Sequence, residues 1–260
     1  MSIALPARAK LNFDLAVLGR RDDGFHDVRT TLQAIDLHDL VTLTPARQTT
    51  LTTSGLPISN THENSTLKAL AALEQATNRH MPTHIHLHKR IPSGAGMGGA
   101  SSDAAATLRA LATLHHLTAD LTSIARQLGA DVPFFLTGGT AIAEQRGDQL
   151  TRIPTHPAWF AIAWPGVELL TPAVYRAWDE METNTSDSPN QLTAAAMRIE
   201  PRLHEFAKSL DSLGPGWQMT GSGSAFFRLC ADARDARECT SKLQTLKCWT
   251  AVSQSLGAWA

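Results

Sequence analysis

The chain has 260 residues, 43% of them hydrophobic, which is enough for one large domain or for two smaller domains with buried cores. Its 23 basic and 24 acidic residues leave a net charge of -1, so no basic excess attracts nucleic acid or anionic lipid. No apolar run approaches the roughly 20 residues that span a bilayer, and the N-terminus lacks a secretory apolar core. We therefore expect a cytoplasmic protein that binds a small molecule, with no nucleic-acid or membrane partner.

The first 44 residues predict an antiparallel sheet. Strands are expected over residues 9–18, 28–35 and 40–43, with a turn over residues 19–24. Lys10 and Asn12 stand two apart in the first strand, so their side chains share one face of the sheet. Two interpretations of this pair are about equally favoured: the two side chains bind a ligand beside the apolar core, or they lie on a strand face that is exposed to solvent.

A helix over residues 63–76 and a strand over residues 83–88 come next. His84, His86 and His88 alternate on one face of that strand, a spacing that suits a metal ion. A solvated edge explains them better, because the chain has 11 histidines and no acidic or cysteine ligand stands nearby. The three cysteines, all after residue 229, form no C-x-x-C pair. We expect reduced thiols and no metal-binding residues.

A glycine-rich segment, PSGAGMGGASSDAA, occupies residues 92–105. Glycines lack a Cβ and adopt positive φ, so their main-chain N–H groups can approach phosphate oxygens closely. A helix is expected over residues 102–117, with Ser101 or Ser102 as its cap and Asp103 in its first turn. A helix N-terminus favours a bound anion. The segment predicts a phosphate-binding loop rather than a plain turn, because a helix cap needs only one glycine.

Two better-known phosphate motifs are excluded by their context. Gly94, Gly96 and Gly99 satisfy the dinucleotide pattern G-x-G-x-x-G, but no second strand ends in an acidic residue about 20 residues later. Asp120 instead begins another predicted helix, which ends at Gly129. A Walker loop requires a lysine after its last glycine, and Ala100 stands there. The charge of the phosphate must therefore be met by residues elsewhere in the chain.

Two further segments are candidates for the site. Asp131 follows a predicted helix and precedes an apolar run, so we expect its carboxylate to be partly desolvated and suited to act as a base. A carboxylate that caps a turn before Pro133 is the alternative. A second glycine cluster over residues 219–224 suits either a second anion-binding nest or a hairpin turn.

The rest of the chain predicts a second α+β unit. A strand over residues 140–144 lies between turns at residues 138–139 and 146–148, and Pro154 and Pro157 interrupt the pattern. Further elements are expected at residues 159–164, 172–180, 190–212, 225–229, 232–246 and from Trp249 onward. We place a domain boundary near residue 154, which gives domains over residues 1–154 and 155–260.

Five segments, at residues 6–12, 19–26, 92–105, 129–133 and 219–224, together resemble the galactokinase, homoserine, mevalonate and phosphomevalonate (GHMP) kinase superfamily in sequence and in order. The resemblance implies an α+β fold with two domains, an N-terminal nucleotide-binding domain and a C-terminal α+β domain, with the active site between them. The GRRDDGFH element at residues 19–26 is similar to that of one member. That member uses ATP and Mg²⁺ to phosphorylate the tertiary 2-hydroxyl of a cytidylyl methylerythritol substrate for non-mevalonate isoprenoid synthesis.

The resemblance also implies roles for individual residues. Asp131 matches a catalytic aspartate that accepts the hydroxyl proton, and Lys10 matches a lysine that orients the hydroxyl and offsets charge. The matched residues around ATP comprise the adenine pocket, Asn64 and Lys89, and the phosphate loop, Pro92, Gly94, Gly96, Met97, Gly98, Gly99, Ala100, Ser101 and Ser102. The matched residues around the acceptor substrate are Asn12, Phe25, His26, Gly221 and Gly223.

Two residues depart from the family pattern. Phe25 replaces a stacking tyrosine and keeps the aromatic face without the hydroxyl, and Ala100 replaces a glycine, which strains the loop if that position needs positive φ. A kinase of another small alcohol, such as homoserine or mevalonate, and a nucleotide-binding module without catalysis remain as alternatives. The sequence leaves the oligomeric state open.

Overall fold

A computed structural model describes residues 1–58, 63–181 and 188–259. Within these ranges the strands are β1 (Ile3–Asn12), β2 (Ala16–Arg20), β3 (His26–Pro45), β4 (Thr50–Gly55), β5 (Thr83–Lys89), β6 (Thr140–Gln145), β7 (Gln149–Ile153), β8 (Trp159–Trp164), β9 (Trp217–Met219), β10 (Phe226–Cys230) and β11 (Trp249–Gln254). The helices are α1 (Ser65–Thr77), α2 (Gly99–Leu114), α3 (Leu121–Leu128), α4 (Val132–Thr137), α5 (Thr171–Asp179), α6 (Leu192–Ile199), α7 (Arg202–Ser212) and α8 (Ala233–Lys242). The α+β class predicted from the sequence is confirmed.

The long strand β3 organises the first sheet. Its first half pairs with β2 and β6, its residues 32–43 pair with β1, and its last six residues pair with β5, all of them antiparallel. β4 joins β5 in parallel and β7 joins β6, which completes a seven-stranded sheet. Helices α1 to α4 supply the other apolar surface of this core, through residues such as Leu70, Leu108 and Phe134. This half of the molecule therefore buries its apolar residues between a sheet and one helical layer.

The second sheet is antiparallel, in the order β11, β8, β10, β9. Helices α5, α6 and α7 and the strand residues Ala163 and Phe226 share its principal core. Another core contains residues from both halves of the chain, among them Leu11, Ile91 and Phe160. Trp259 also returns to pack against the first core. Residues 154–158 separate the two sheets along the chain, and the division into domains at residue 154 stays a prediction because the halves share buried contacts.

The helices of the described chain are all too short or too polar to cross a membrane.

The N-terminal strands differ from the predicted ones in their boundaries. The strand predicted over residues 9–18 is two strands, because Asp14 interrupts the sheet: its carboxylate accepts hydrogen bonds from the Thr31 amide at 2.5 Å and the Thr31 hydroxyl at 2.9 Å. The two strands predicted over residues 28–43 are the single strand β3. Polar residues such as Asp39 made the sequence of β3 look interrupted. In the structure, residues distant in the chain form hydrogen bonds with the Asp39 carboxylate.

The helix predicted over residues 102–117 begins and ends three residues earlier. Gly98, in the left-handed conformation at φ 73°, precedes its first residue, and no serine side chain caps it. The expectation of a Ser101 or Ser102 cap is wrong, and Asp103 lies in the second turn rather than the first. The predicted helical stretch 190–212 is two helices separated by Pro201, and the stretch 232–246 ends in a 3₁₀ turn over Leu243–Leu246.

The glycine-rich loop joins the two halves of the molecule. The main-chain oxygens of Gly94 and Ala95 accept hydrogen bonds from the amides of Ser224 and Ala225, at 3.3 and 3.1 Å. A Cβ built on Gly96 would stand 2.2 Å from the main-chain oxygen of Thr220. Glycine is therefore required at this position by close backbone packing as well as by positive φ.

We expect Gly96→Ala to lower the free energy of unfolding by about 3 kcal/mol or more, because strain at φ 75° adds to a backbone clash. Gly166→Ala is the matched control, since Gly166 has φ 79° but its Cβ would meet nothing within 4 Å. Strain alone predicts a loss of about 1 kcal/mol there. Urea unfolding of both variants measures the difference, and equal losses would contradict the packing argument.

Candidate active site

A cavity of about 930 Å³ lies between the two halves of the molecule. The glycine-rich loop and the start of α2 form one part of its wall, and Phe25, His26 and Tyr175 form another. All the predicted site residues line it except Ser102 and Gly223. The structure therefore brings together five segments that are scattered along the sequence.

The loop alternates exposed backbone with buried side chains. Gly94, Gly96 and Gly98 have φ values of 59°, 75° and 73°, whereas the side chains of Ala95 and Met97 are buried in the core shared by both halves. Each buried side chain holds the neighbouring glycines in place. The result is a fixed backbone cradle rather than a loose loop.

The cradle leads into a helix start that lacks a side-chain cap. In the described chain, no side chain accepts a hydrogen bond at the start of α2, and the same is true of α4, α5, α6 and α7, whereas α1, α3 and α8 are capped by Asn64, Asp120 and Asp232. Of the uncapped helices, α2 is the one that follows the glycine-rich loop. The first N–H groups of a helix have no partner within the helix and attract anions. This arrangement fits a phosphate group of ATP at the start of α2.

Two residues predicted for this loop lie differently from expectation. Ser102 is buried inside α2, with 2% of its surface exposed, so it does not face the cavity. Ala100 lies in the first turn of α2 and is not among the described residues with positive φ. The strain considered for this alanine is therefore absent.

Lys10 lies buried beneath the loop. Its Nζ donates hydrogen bonds to Gly96 O at 2.6 Å and Asn12 Oδ1 at 2.5 Å, and lies 3.9 Å from Asp131 Oδ2. Burial lowers the pKa of Lys10, and the nearby Asp131 carboxylate opposes that shift. The shared face predicted for Lys10 and Asn12 is thus a buried, hydrogen-bonded pair rather than a solvated strand face.

Asp131 immediately precedes α4 and points into the cavity. Its side chain is 37% exposed, and so partly buried, and it makes no capping hydrogen bond, so the turn-capping alternative does not describe it. A carboxylate that touches both Lys10 and open cavity can accept a proton from a bound hydroxyl group.

Asn12 connects Lys10 to the second half of the molecule. Its amide nitrogen Nδ2 donates to Thr30 Oγ1 at 2.8 Å, and its main-chain N–H donates to Thr220 Oγ1 at 2.9 Å. Thr220 precedes the second glycine cluster. A Cβ on Gly221 would approach Gly96 O to 2.7 Å, and one on Gly223 would approach Met219 Sδ to 2.8 Å. The second cluster therefore packs under the first loop instead of forming a separate open nest.

Lys89 belongs to a buried group of charges. Its Nζ donates to a carboxylate oxygen of Asp39 and, at 2.8 Å, to Asp103 Oδ2. Burial by itself lowers the pKa of Lys89, but the two carboxylates outweigh it and the net pKa is raised. Burial also raises the pKa of Asp103. The positive charge of Lys89 is thus largely committed to these acids, while Asn64, which also lines the cavity, caps α1.

Aromatic residues line the cavity around Phe25. Phe25 is 52% exposed, and the guanidinium carbon of Arg146 lies 4.4 Å from its ring centroid. His26 stacks on Tyr175 with centroids 4.7 Å apart, and its Nε2 lies 2.6 Å from Asp179 Oδ1. Burial raises the pKa of Tyr175 above its usual range. These planar groups suit a nucleobase.

The sequence did not identify Tyr175 and Asp179 as site residues. It also did not identify Asp39 and Asp103 as the carboxylates that bind Lys89. Tyr175 is the single tyrosine of the chain, and this rarity could have marked it as a candidate site residue. Asp179 and Asp103 lie in ordinary helical patterns, so only the tertiary contacts reveal them.

The strand histidines and the cysteines lie outside the cavity lining. His84, His86 and His88 face β4, where the hydroxyl groups of Thr50, Thr52 and Ser54 bond to them at 2.8 to 3.4 Å. Cys230, Cys239 and Cys248 are free thiols. The fold brings Cys230 and Cys239 close to Asp235, with the potential ligand atoms within 4.8 Å of one another, a proximity that the sequence did not predict.

Comparison with known proteins defines the class first. Residues 64–139 match the family model described as the GHMP kinases N terminal domain. A crystal structure of Methanococcus jannaschii mevalonate kinase superposes with a TM-score of 0.69 at 13% identity, covering 99% of this chain and 98% of that one, and so shares the fold. The chain is a small-molecule kinase of the GHMP class, whose members use ATP as the phosphate donor, and it has the fold of that class.

Closer relatives define the family. The 4-diphosphocytidyl-2-C-methyl-D-erythritol kinase of Moorella thermoacetica is 36% identical over 98% of this chain and 99% of its own length, and that of Thermus thermophilus is 36% identical over 92% and 91%. A crystal structure of 4-(cytidine 5'-diphospho)-2C-methyl-D-erythritol kinase superposes with a TM-score of 0.84 at 34% identity, covering 98% of this chain and all of that one. The chain belongs to the 4-diphosphocytidyl-2-C-methyl-D-erythritol kinase family, as the resemblance implied.

We expect Lys89→Met to lower the free energy of unfolding by about 3 to 5 kcal/mol, because it leaves the Asp39 and Asp103 carboxylates buried without a counter-charge. Acids whose pKa is higher in the folded than in the unfolded state lose stabilisation as the pH rises. The loss of unfolding free energy in Lys89→Met, relative to the wild type, should therefore be larger at pH 8 than at pH 5 in urea titrations.

Lys68→Met provides the control for that variant. Lys68 also pairs with an acid, at 3.8 Å from Glu63, but 59% of its side chain is exposed. An exposed pair contributes about 1 kcal/mol or less. A Lys89→Met deficit no larger than that of Lys68→Met, or one that shrinks as the pH rises, would contradict the buried-charge argument.

Proposed function

We propose that this protein transfers the γ-phosphoryl group of ATP to the 2-hydroxyl of 4-diphosphocytidyl-2-C-methyl-D-erythritol. The observation that carries the proposal is the placement of the Lys10 and Asp131 pair in one cavity with both an uncapped helix start and an aromatic patch. The names of the relatives supply the cytidyl group and the alcohol. Phosphate at the loop and cytosine at the aromatic patch would place the acceptor hydroxyl between them.

In this proposal the reacting groups have separate roles. Asp131 accepts the proton of the attacking hydroxyl, whose oxygen bonds to the γ-phosphorus while the bond to the departing ADP oxygen breaks. Lys10 orients the hydroxyl and offsets negative charge on the transferred group. The main-chain N–H groups that follow Pro92 in the loop, up to Ser101, hold the other phosphates. Asn64 and Lys89 are proposed neighbours of the adenine, and Gly221 and Asn12 of the acceptor substrate.

Magnesium fits this donor set. Glu168, which lies beside Gly94 of the loop, lines the cavity with a carboxylate, and Mg²⁺ prefers carboxylate and phosphate oxygens. When bound, the ion would supply neutralisation of phosphate charge. We further propose that residues 1–154 bind the nucleotide and also contribute Asn12, Phe25 and His26 to the acceptor site, whereas residues 155–260 lie on the substrate side.

The aromatic patch favours a cytidylyl substrate over a homoserine-type or mevalonate-type alcohol. Those small aliphatic acceptors offer no base for Phe25, His26 and Tyr175 to contact. A binding module without catalysis would not need the contact between Lys10 and Asp131. Turnover measurements with the cytidylyl substrate, homoserine and mevalonate test the choice directly.

We expect Asp131→Asn to lower kcat by about 10² to 10⁴, because the amide cannot accept the hydroxyl proton. Binding of a non-hydrolysable ATP analogue, measured by calorimetry, should persist. Asp211→Asn, an exposed carboxylate at the end of α7, is the control and should retain wild-type turnover. Undiminished turnover of Asp131→Asn would remove this residue as the base.

We expect His26→Ala to raise KM for the cytidylyl substrate about tenfold or more while KM for ATP changes little. The reason is that His26 lies in the aromatic patch with Tyr175 rather than in the loop. Steady-state kinetics with each substrate varied in turn measures both constants. Equal increases in the two KM values would count against a base-binding role.

A further inference from the structure

One helix face supplies three partners to His26. Tyr175, Trp178 and Asp179 lie at positions i, i+3 and i+4 of α5, which places them on one side of that helix. Tyr175 stacks on the imidazole, Trp178 meets it edge-on with centroids 5.7 Å apart, and Asp179 accepts a hydrogen bond at 2.6 Å. Only 6% of the His26 side chain is exposed. The orientation of the ring is therefore fixed before any ligand arrives.

The contact with Asp179 also fixes where a proton resides. An ionised carboxylate has no proton to give, so in this hydrogen bond Nε2 of His26 carries the hydrogen and Asp179 Oδ1 accepts it. In a neutral imidazole the other nitrogen, Nδ1, is then an acceptor. The ring would consequently offer a lone pair to a ligand in the cavity.

The position of Asp179 in its helix has no local explanation. It is the last residue of α5, where the main-chain oxygens concentrate negative charge and a carboxylate is unfavourable. Its compensating contacts are tertiary: His26, and Arg20, whose Nη1 lies 3.8 Å from Asp179 Oδ2. The carboxylate of Asp179 is therefore stabilised by side chains at the cavity and does not stabilise its own helix.

We propose that Asp179 is a positioning residue that gives the site its preference for a cytosine over a uracil base. By holding the proton on Nε2, it presents Nδ1 of His26 as an acceptor for the exocyclic amino group of cytosine. Uracil carries a carbonyl oxygen at the same ring position, and two acceptors repel each other. This inference rests on the proposed function, since it takes the cytidyl end of the substrate to lie beside His26.

The test compares cytidine 5'-diphosphate with uridine 5'-diphosphate by calorimetry on the full-length protein. We expect the wild type to bind the cytidine nucleotide at least about tenfold more tightly. Asp179→Ala should reduce that ratio to about two- to threefold, because the imidazole loses its fixed orientation. Asp179→Asn keeps an acceptor oxygen and should recover most of the ratio.

A control and a spectroscopic readout separate positioning from a structural effect. Glu180→Gln changes the next carboxylate, which is 67% exposed and pairs with Arg198, and should leave the ratio unchanged. Nitrogen-15 NMR of the ring should show a protected Nε2–H in the wild type and in Asp179→Asn, and its loss in Asp179→Ala. An Asp179→Ala protein that keeps both the preference and the protected proton would overturn the inference and leave the proposed function standing. A wild type that binds neither nucleotide would overturn both.

Discussion

The site depends on a buried ammonium group that has to find acceptors. Lys10 has 5% of its side chain exposed, and its partners come from β1, from the glycine-rich loop and from the start of α4. A buried charge without partners is strongly unfavourable. The contacts of Lys10 with Asn12 Oδ1, Gly96 O and Asp131 therefore tie three distant segments into one geometry. Loss of any acceptor would leave part of that charge uncompensated.

The glycines of the loop are required for two reasons, ligand approach and close packing. Positive φ and close approach to a phosphate explain why glycine suits residues 94, 96 and 98. Packing adds an equally strict demand, because a Cβ on Gly98 would stand 2.6 Å from the Phe135 ring and one on Gly221 would stand 2.9 Å from Lys10 Nζ. The two glycine clusters are thus opposite sides of a single contact between the halves of the molecule. Their composition reflects this interface as well as a ligand.

Charge is distributed so that the two buried lysines have different surroundings. Lys89 is held by Asp39 and Asp103, and its pKa is raised. Lys10 has one carboxylate at 3.9 Å, and its pKa is lowered. Protonated Lys10 has one carboxylate within ion-pair distance where Lys89 has two, so less of its charge is offset by neighbouring acids, while Lys89 supports the packing of β5 against α2. The amides at the uncapped start of α2 add further attraction where the sequence contains no Walker lysine.

The sequence by itself determined the local features: the glycine-rich loop before a helix, the shared face of Lys10 and Asn12, the carboxylate of Asp131 after α3, and the family motifs in their order. These follow from spacing and backbone preference, which act over a few residues. Tertiary structure decided the continuity of β3, the burial of Lys89 between two acids, and the contacts of His26 with α5. Each of these joins residues far apart in the chain, so its energy arises only once the halves of the molecule have packed together.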